Sequence, residues 1–382
     1  MARILLRLVV AIIGILTALT AAELALRRLH PRSDDFWQAH PILGQTHRPG
    51  ATGVFRSRCY EVPIAINAQG FRGPERTPSP APGTIRIVAV GDSMTEAFQV
   101  PYPETFTGVL ERNLNAAGKR FEIVNLGVSS YGTTQSYLNL LHRGFTFEPK
   151  FVVLGFSLTD VRDDSRELEG RADKPYFVRE GDRLVLQPFS YRPRYEALKS
   201  AVRRLQLYQR FGSRLATGDW TRSLLQRVGL AERLTPDLED EVRQRPAGGM
   251  SSVFSVYAKD YPPVWRAALE LETALLGKVH ADAASRGAAL VVLGFPHPVE
   301  LMSTAELDAR YPRFRPDHDV DQLQRMLAAA AKQHGFRHLP LAPAFRAAIA
   351  NGTPLSRLFA CDDHFSAEGH RVIAAALAEA LR

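Results

Sequence analysis

A serine in the first third of the chain has the surroundings of a catalytic nucleophile. Ser93 follows the apolar, β-branched run 85–90 and the turn residues Gly91-Asp92. This pattern predicts a strand, a tight turn and a helix, with Ser93 at the carboxyl edge of a parallel sheet, where ligands commonly bind. The helix would direct its positive end at charge that develops on a carbonyl oxygen. Gly-Asp-Ser taken alone is equally typical of an ordinary turn.

Asp362 and His364, near the other end of the chain, could supply the base that such a serine needs. In an extended segment, positions two apart project to the same side, so both side chains could face one crevice while Asp363 points away. A neutral His364 would take the Ser93 proton, and Asp362 would orient the ring and stabilise the imidazolium. The sequence predicts that a helix over 366–381 anchors this loop, with His370 packed within it or facing solvent.

Four short motifs, in their order along the chain, resemble the SGNH hydrolase family, also called GDSL-type esterases and lipases. Gly-Asp-Ser matches the first family block and makes Ser93 the nucleophile. Gly127, in Asn-Leu-Gly-Val-Ser, matches the glycine whose backbone N–H lines the oxyanion hole. Asp362 and His364 match the last block, in the spacing-of-two form that some branches use. The resemblance extends over about 85–164 and from about 264 to the end of the chain.

The third block departs from the family pattern, because Thr159 precedes Asp160 where the family has an asparagine. An asparagine amide is a fixed donor to the oxyanion, and losing one such donor costs about 3 kcal/mol of transition-state stabilisation. A threonine hydroxyl also donates, but it is shorter and rotates. The resemblance therefore implies an oxyanion hole made by the N–H groups of Ser93 and Gly127 with Thr159. That site is either weaker than in its relatives or shares the task between Thr159 and a neighbour.

Strand and helix patterns alternate in the core, as in a parallel sheet covered on both faces. The predicted strands are 85–90, 122–126, 151–156, 288–295 and 338–341, with helices over 105–117, 133–143, 264–286 and 321–334. Five strands suffice for a flavodoxin-like three-layer α/β/α sandwich, which is also the fold that the resemblance implies. The predicted functional residues follow strands, where such a fold gathers its site.

Residues 1–29 have the properties of a signal anchor or signal peptide. Arg3 and Arg7 precede an uncharged apolar run over 8–22, somewhat shorter than the roughly 20 residues of a spanning helix. Basic residues ahead of the run favour a retained inner-membrane anchor, with the catalytic domain in the periplasm or outside. Thr20-Ala21-Ala22 offers a cleavage site for the alternative, a secreted protein.

Residues 30–84 form an extension and a linker, with a small hairpin predicted over 60–73 and no chemistry assigned. Cys59 and Cys361 are the only cysteines, and in an oxidising compartment a disulfide between them would pin the extension to the loop of Asp362 and His364. No metal-ligand spacing stands out among the histidines, so we predict no metal and no cofactor, and a structural role for His297.

An insertion over 165–262, with helical patterning, separates the two parts of the hydrolase core (85–164 and 263–382). Its segment 190–227 carries nine Lys or Arg against two acids, a large share of the chain's net charge of +8. Three hypotheses fit this segment: a helical cap with a solvated basic face, contact with anionic lipid, or a groove for an anionic or acylated polysaccharide. Binding to nucleic acid is disfavoured, because an exported protein would rarely meet it and no recognised motif is present.

Together, the motifs indicate acyl transfer through an acyl-enzyme. If water resolves that intermediate, the protein is a serine esterase, with a short-chain acyl (acetyl) ester of a glycan or lipid as the predicted substrate. If a sugar hydroxyl resolves it, the protein is a polysaccharide O-acetyltransferase. A third hypothesis is a catalytically silent glycan-binding scaffold with the same fold. Thr159 favours the scaffold, whereas the presence of Ser93, Asp362 and His364 together argues against it.

Overall fold

The computed structural model describes residues 2–29, 35–181, 183–203, 205–208, 252–312 and 314–381. Its strands, in chain order, are β1 (Trp37–His40), β2 (Gly44–His47), β3 (Thr52–Arg56), β4 (Glu61–Ala65), β5 (Ile85–Val90), β6 (Phe121–Asn125), β7 (Phe151–Phe156), β8 (Tyr176–Glu180), β9 (Arg183–Gln187), β10 (Ala289–Gly294) and β11 (Arg337–Pro340). Five of these form one sheet in the spatial order β6-β5-β7-β10-β11, and all its pairings are parallel. Numbered by chain order within the sheet, this is the flavodoxin-like order 2-1-3-4-5. The predicted fold class is confirmed.

The helices, in chain order, are α1 (Ala2–Leu29), α2 (Ser93–Glu96), α3 (Phe106–Ala116), α4 (Thr133–His142), α5 (Asp160–Asp163), α6 (Arg166–Glu169), α7 (Pro193–Arg203), α8 (Pro263–Ala284), α9 (Thr304–Arg310), α10 (Phe314–Asp317), α11 (Gln322–His334), α12 (Ala342–Ala350), α13 (Leu355–Leu358) and α14 (Ala367–Ala380). The five core helices that the sequence predicts correspond to α3, α4, α8, α11 and α14, with ends that agree within one or two residues.

The sheet is covered on both faces because its strands are apolar on both sides. In β5, Val88 and Val90 point into one core, together with side chains from α4, α8 and α11. Ile87 and Ala89, which alternate with them, point into the opposite core, together with side chains from α3, α12 and α14. Three layers result, with the sheet buried between the two cores.

Helix α1 is the one helix in the described ranges that is long and apolar enough to cross a membrane, over Arg3–Leu29. Its apolar side chains are exposed along most of its length. A signal sequence has the same length and composition, so the helix is compatible with both an anchor and a signal peptide.

Part of the insertion differs from the prediction. Residues 165–262 were expected to be helical, but β8 and β9 form an antiparallel hairpin there, with Tyr176 opposite Gln187. Short apolar runs over 176–178 and 184–186 lie on both sides of Gly181 and Asp182, residue types typical of turns, and this pattern favours a hairpin over a helix. Helix α7 forms the first part of the predicted helical basic segment 190–227, whereas most of that segment lies outside the described residues.

Two hairpins, β1–β2 and β3–β4, build the extension. The hairpin predicted over 60–73 is found in part, because β4 pairs with β3 before it, and after β4 one antiparallel bridge joins Ile66 to Arg72. The turn between β3 and β4 is closed by the Ser57 N–H, which donates to the Tyr60 carbonyl at 2.9 Å. The predicted turn residues 67–73 form a separate loop, in which the Asn67 side chain accepts from the N–H groups of Gln69 and Phe71.

A phenylalanine from the catalytic core forms the centre of the extension. Phe98 follows α2 and is fully buried among Phe36, Val62 and Ile64 of the extension. Arg72 crosses the same boundary in the other direction. Its buried guanidinium lies over the Phe98 ring and donates to the carbonyls of Glu96, Ala97 and Val100. The extension and the segment after α2 therefore fold as one unit.

We expect Arg72→Met to destabilise the fold by about 3 kcal/mol, because it leaves three buried carbonyls without their donor. Burial lowers the pKa of Arg72 to about 10, so the guanidinium is still charged at neutral pH. Urea denaturation of the full chain in detergent, followed by circular dichroism, measures the loss. Arg120→Met is the matched control, since Arg120 is exposed, and it should change the free energy of unfolding by less than about 0.5 kcal/mol. Equal free energies of unfolding for the two variants would contradict a stabilising role of the Arg72 hydrogen bonds.

Candidate active site

Ser93 lies just beyond the carboxyl end of β5, where this strand meets α2. Asp92 caps this helix, and its Oδ1 accepts from the Met94 N–H at 2.9 Å. The helix is only one turn long and ends at Ala97, which has left-handed backbone geometry (φ 59°). So short a helix carries little macrodipole, and the predicted electrostatic effect is reduced to individual N–H groups at its start. Among the described residues, no acceptor binds the N–H of Ser93.

The structure brings the three residues predicted for nucleophilic catalysis together. Ser93 Oγ lies 2.8 Å from His364 Nε2. The other ring nitrogen, Nδ1, lies 3.3 Å from the Asp362 carboxylate at Oδ2 and 3.2 Å from the Asp362 backbone carbonyl. Both side chains are partly exposed, at 23% for His364 and 31% for Asp362, so a ligand can reach them from solvent.

Asp362 and His364 are presented by a tight turn, not by the extended segment that the sequence analysis assumed. A bridge between Phe359 and Phe365 closes the loop, and the Ala360 N–H donates to the His364 carbonyl at 2.7 Å. Asp363 has a left-handed backbone (φ 64°), which reverses the chain between its two neighbours. Its carboxylate turns away to lie 3.7 Å from His297 Nε2. The Asp363 side chain therefore points away from the crevice, as predicted, but a left-handed turn and not an extended segment causes this direction.

Charges around His364 favour its protonated form. Burial alone would lower the pKa of His364, but the hydrogen bond and the negative charge of Asp362, with the charge of Asp92, raise it above its usual value. Burial alone would likewise raise the pKa of Asp362, yet the hydrogen bonds from His364 and Tyr60 outweigh it and lower that pKa to about 2. Asp362 is therefore ionised at every pH at which His364 titrates.

The extension contributes a residue that the sequence analysis missed. The Tyr60 hydroxyl donates to Asp362 Oδ2 at 2.6 Å. Next to it, Cys59 forms a disulfide with Cys361, and the Arg58 side chain donates to the Cys361 carbonyl at 3.2 Å. The signal for Tyr60 was present in the sequence, because pairing the two cysteines places their neighbours Tyr60 and Asp362 side by side. The extension, to which the sequence analysis assigned no chemistry, thus places a hydroxyl against a candidate site residue.

Gly127 follows β6 but does not offer a free donor. Its N–H donates to the Asn125 side-chain oxygen at 3.0 Å. A Cβ on Gly127 would come within 2.7 Å of the Thr95 and Glu96 backbone, so the glycine permits close packing against the nucleophile helix. The single hydrogen of its N–H is engaged in this geometry, so the predicted role of Gly127 as an oxyanion donor stays a prediction, which requires Asn125 to release that hydrogen.

Thr159 is connected to the nucleophile turn through Ser157. The Ser157 hydroxyl donates to Asp92 Oδ2 at 2.7 Å, and Thr159 Oγ1 lies 2.9 Å from Ser157 Oγ. Since Ser157 has one hydrogen and gives it to Asp92, the Thr159 hydroxyl donates to Ser157. Burial raises the pKa of Asp92 to about 6, although the bonds from Ser157 and Met94 lower it. Thr159 must rotate its hydroxyl to donate to a ligand.

A buried carboxylate joins the extension to the nucleophile helix. Glu96, the last residue of α2, accepts from the Trp37 Nε1–H at 2.9 Å and lies 2.6 Å from His47 Nε2. It also accepts from the Ser129 hydroxyl, which belongs to the loop after β6. The side chains of His47 and Glu96 are each 1% exposed. None of these contacts was predicted, because the extension carried no recognisable motif.

The remaining histidines near the site are buried. Burial, with the charge of Arg310, lowers the pKa of His297 to about 4, and its ring packs edge-on against Phe254. His370 stacks on Phe106 and is 1% exposed. In the part of the chain that the structure describes, no group of three or more His, Cys, Asp or Glu side chains could hold a metal ion.

Comparison with known proteins gives a likeness in solved structures only, since no protein-family model and no curated protein matches the chain. LAE5, an alpha/beta hydrolase enzyme from the metagenome of Lake Arreo, is 16% identical, with 78% of this chain and 94% of that chain covered and a TM-score of 0.41. The acetylxylan esterase Axe2 from Geobacillus stearothermophilus is 12% identical (77% and 93% covered, TM-score 0.41). A protein of the G-D-S-L family from Desulfitobacterium hafniense DCB-2 is 11% identical (77% and 98% covered, TM-score 0.38). These values are too low to support an activity, so we base the function on the residues above.

Proposed function

We propose that this chain is a serine esterase of the SGNH type, with Ser93 as nucleophile, His364 as general base and Asp362 as the residue that orients His364. The observation that carries the proposal is the 2.8 Å contact between Ser93 Oγ and His364 Nε2, with Asp362 on the far side of the ring. A nucleophile within hydrogen-bond reach of a base, and a base oriented by a third group, is the arrangement that acyl transfer by serine needs.

In the proposed reaction, Ser93 Oγ attacks the ester carbonyl carbon while His364 Nε2 takes its proton. The carbonyl oxygen becomes an oxyanion, which the unused Ser93 N–H stabilises together with the Thr159 hydroxyl after it rotates away from Ser157. His364 then gives its proton to the departing alkoxide, and an acyl-enzyme and an alcohol result. Water attacks the acyl-enzyme by the same route in reverse, which releases the acid and restores Ser93.

The proposed substrate is a short-chain acyl ester, with an acetyl group on a glycan or lipid as the first candidate. We place the enzyme at the outer face of the inner membrane, held by α1 with Arg3 and Arg7 on the cytoplasmic side. The disulfide between Cys59 and Cys361 supports an exported location, because such bonds persist in oxidising compartments.

The first test is p-nitrophenol release from short-chain acyl esters by the full chain in detergent, compared with its Ser93→Ala variant. We expect the change to abolish turnover, since it removes the attacking oxygen. Ser285→Ala is the control, because Ser285 is an exposed serine at the end of α8 and belongs to no part of the candidate site. This variant should keep full activity. Equal inactivity of wild type and Ser93→Ala, with no labelling by a fluorophosphonate probe, would leave the silent scaffold as the better hypothesis.

Thr159 provides a second test, of the oxyanion hole. Thr159→Val removes the hydroxyl at nearly constant volume, and we expect kcat to fall roughly tenfold or more at unchanged KM, because the donor acts only on the oxyanion. Thr159→Asn supplies a fixed amide donor and should restore at least wild-type kcat. Steady-state kinetics of both variants on the same ester make the comparison. A Thr159→Val enzyme as fast as wild type would exclude Thr159 as a donor.

The raised pKa of His364 leads to a pH dependence. Only the neutral ring can accept the Ser93 proton, so kcat/KM should increase with pH and reach half of its plateau above pH 6.5, the usual pKa of histidine. Asp362→Asn removes the charge that favours the imidazolium, so the inflection should shift to lower pH while the plateau falls. Profiles of kcat/KM from pH 5 to 9 test both statements. An inflection that does not move in Asp362→Asn would contradict the assigned pairing of Asp362 with His364.

A further inference from the structure

The loop that carries Asp362 is held by three consecutive residues from the turn between β3 and β4. Arg58 donates to the Cys361 carbonyl, Cys59 is covalently bonded to Cys361, and Tyr60 donates to the Asp362 carboxylate. The Cys361 N–H also lies 3.3 Å from Cys59 Sγ. Main chain, side chain and covalent contacts thus fix the same two residues of the loop.

Tyr60 is placed to act on Asp362 itself rather than on the loop alone. Its hydroxyl lies 2.6 Å from Oδ2, the same carboxylate oxygen that lies 3.3 Å from His364 Nδ1. Burial, followed by the bond and the charge of Asp362, raises the pKa of Tyr60 to about 12. The hydroxyl therefore remains a donor throughout the neutral range, and it fixes which oxygen of Asp362 faces the ring.

We propose that Tyr60 is a positioning residue of the active site, which holds the Asp362 carboxylate against His364, and that the Cys59–Cys361 disulfide holds Tyr60 in register with Asp362. The inference rests on the proposed function for its catalytic consequence. In the absence of Tyr60 the carboxylate, which is 31% exposed, can rotate toward water. A histidine without an oriented partner is a poorer base and is less well placed to take the Ser93 proton.

The first experiment compares Tyr60→Phe with wild type by two readouts. We expect kcat to fall roughly tenfold and KM to change little. A roughly tenfold change corresponds to the loss of about one hydrogen bond to a charged group. The pKa of His364, followed by NMR through the ring resonance that His364→Gln removes, should fall toward 6.5, because the carboxylate no longer faces Nδ1. Tyr137→Phe is the matched control, since it removes a tyrosine hydroxyl that donates to a different carboxylate, Asp282. It should leave both readouts unchanged.

Other charges face His364 and must stay constant in this comparison. Asp92 lies before the nucleophile, Asp363 belongs to the same loop, and His370 belongs to α14. None of them contacts Tyr60 by a hydrogen bond among the described residues. A change in the His364 pKa on removing the Tyr60 hydroxyl therefore reports on Asp362.

The second experiment tests the disulfide by a double-mutant cycle with Cys59→Ser/Cys361→Ser. If the disulfide acts by holding Tyr60, the roughly tenfold effect of Tyr60→Phe should shrink to less than about twofold in the disulfide-free background. Equal effects in both backgrounds would overturn the coupling. If the disulfide-free protein fails to fold by circular dichroism, the positioning role is still decided by Tyr60→Phe, and Arg58→Ala takes the place of the cysteine variants in the cycle.

Failure of the esterase proposal is distinguishable from failure of this inference. The NMR titration needs no turnover, so a lowered His364 pKa in Tyr60→Phe supports the positioning role even if no ester is hydrolysed. An unchanged or raised His364 pKa, together with an unchanged kcat in an active enzyme, would show that Tyr60 only packs beside the loop.

Discussion

The structure depends on bringing two atoms together that belong to residues 271 positions apart, Ser93 Oγ and His364 Nε2. Neither residue can be moved without moving an element of the core. Ser93 follows β5, an inner strand of the sheet, and the His364 loop contacts the end of β10 through Phe365 and Phe295. A parallel sheet buried on both faces gives this contact a rigid frame, because its strand ends cannot shift without disturbing two cores.

The extension also supports both halves of the candidate site. Through Glu96 and Arg72 it satisfies buried groups of the helix that begins with Ser93, and through Tyr60 it reaches the carboxylate behind His364. The nucleophile and the acid thus share a support outside the α/β core. The hydrogen bonds of Glu96 and Arg72 are buried, so loss of one partner there is costly in a way that loss of a surface contact is not.

The sequence sufficed for the sheet, its helices and the three residues at the candidate site, because strand runs, helical periodicity and the Gly-Asp-Ser and Asp-x-His motifs are local patterns. It failed where a role depends on a side-chain contact that no motif shows, whether that contact is near or far along the chain. Gly127 looked like a donor, but the nearby Asn125 side chain occupies its N–H. Tyr60 had a signal only through its neighbour Cys59, and the sequence left the pairing of Cys59 with Cys361 open. The tertiary fold shows that the Tyr60 hydroxyl lies within hydrogen-bond distance of Asp362.

The disulfide joins residues separated by 302 positions, which has a consequence for how the protein is made. Under the proposed export from the amino end, Cys59 would leave the membrane well before Cys361. The bond can form only when nearly the whole chain has crossed, after the sheet has its last strand and the loop with His364 has arrived. Oxidation would then be a late event in maturation, and an immature chain on the outer surface would hold an unpaired thiol where the finished protein has none.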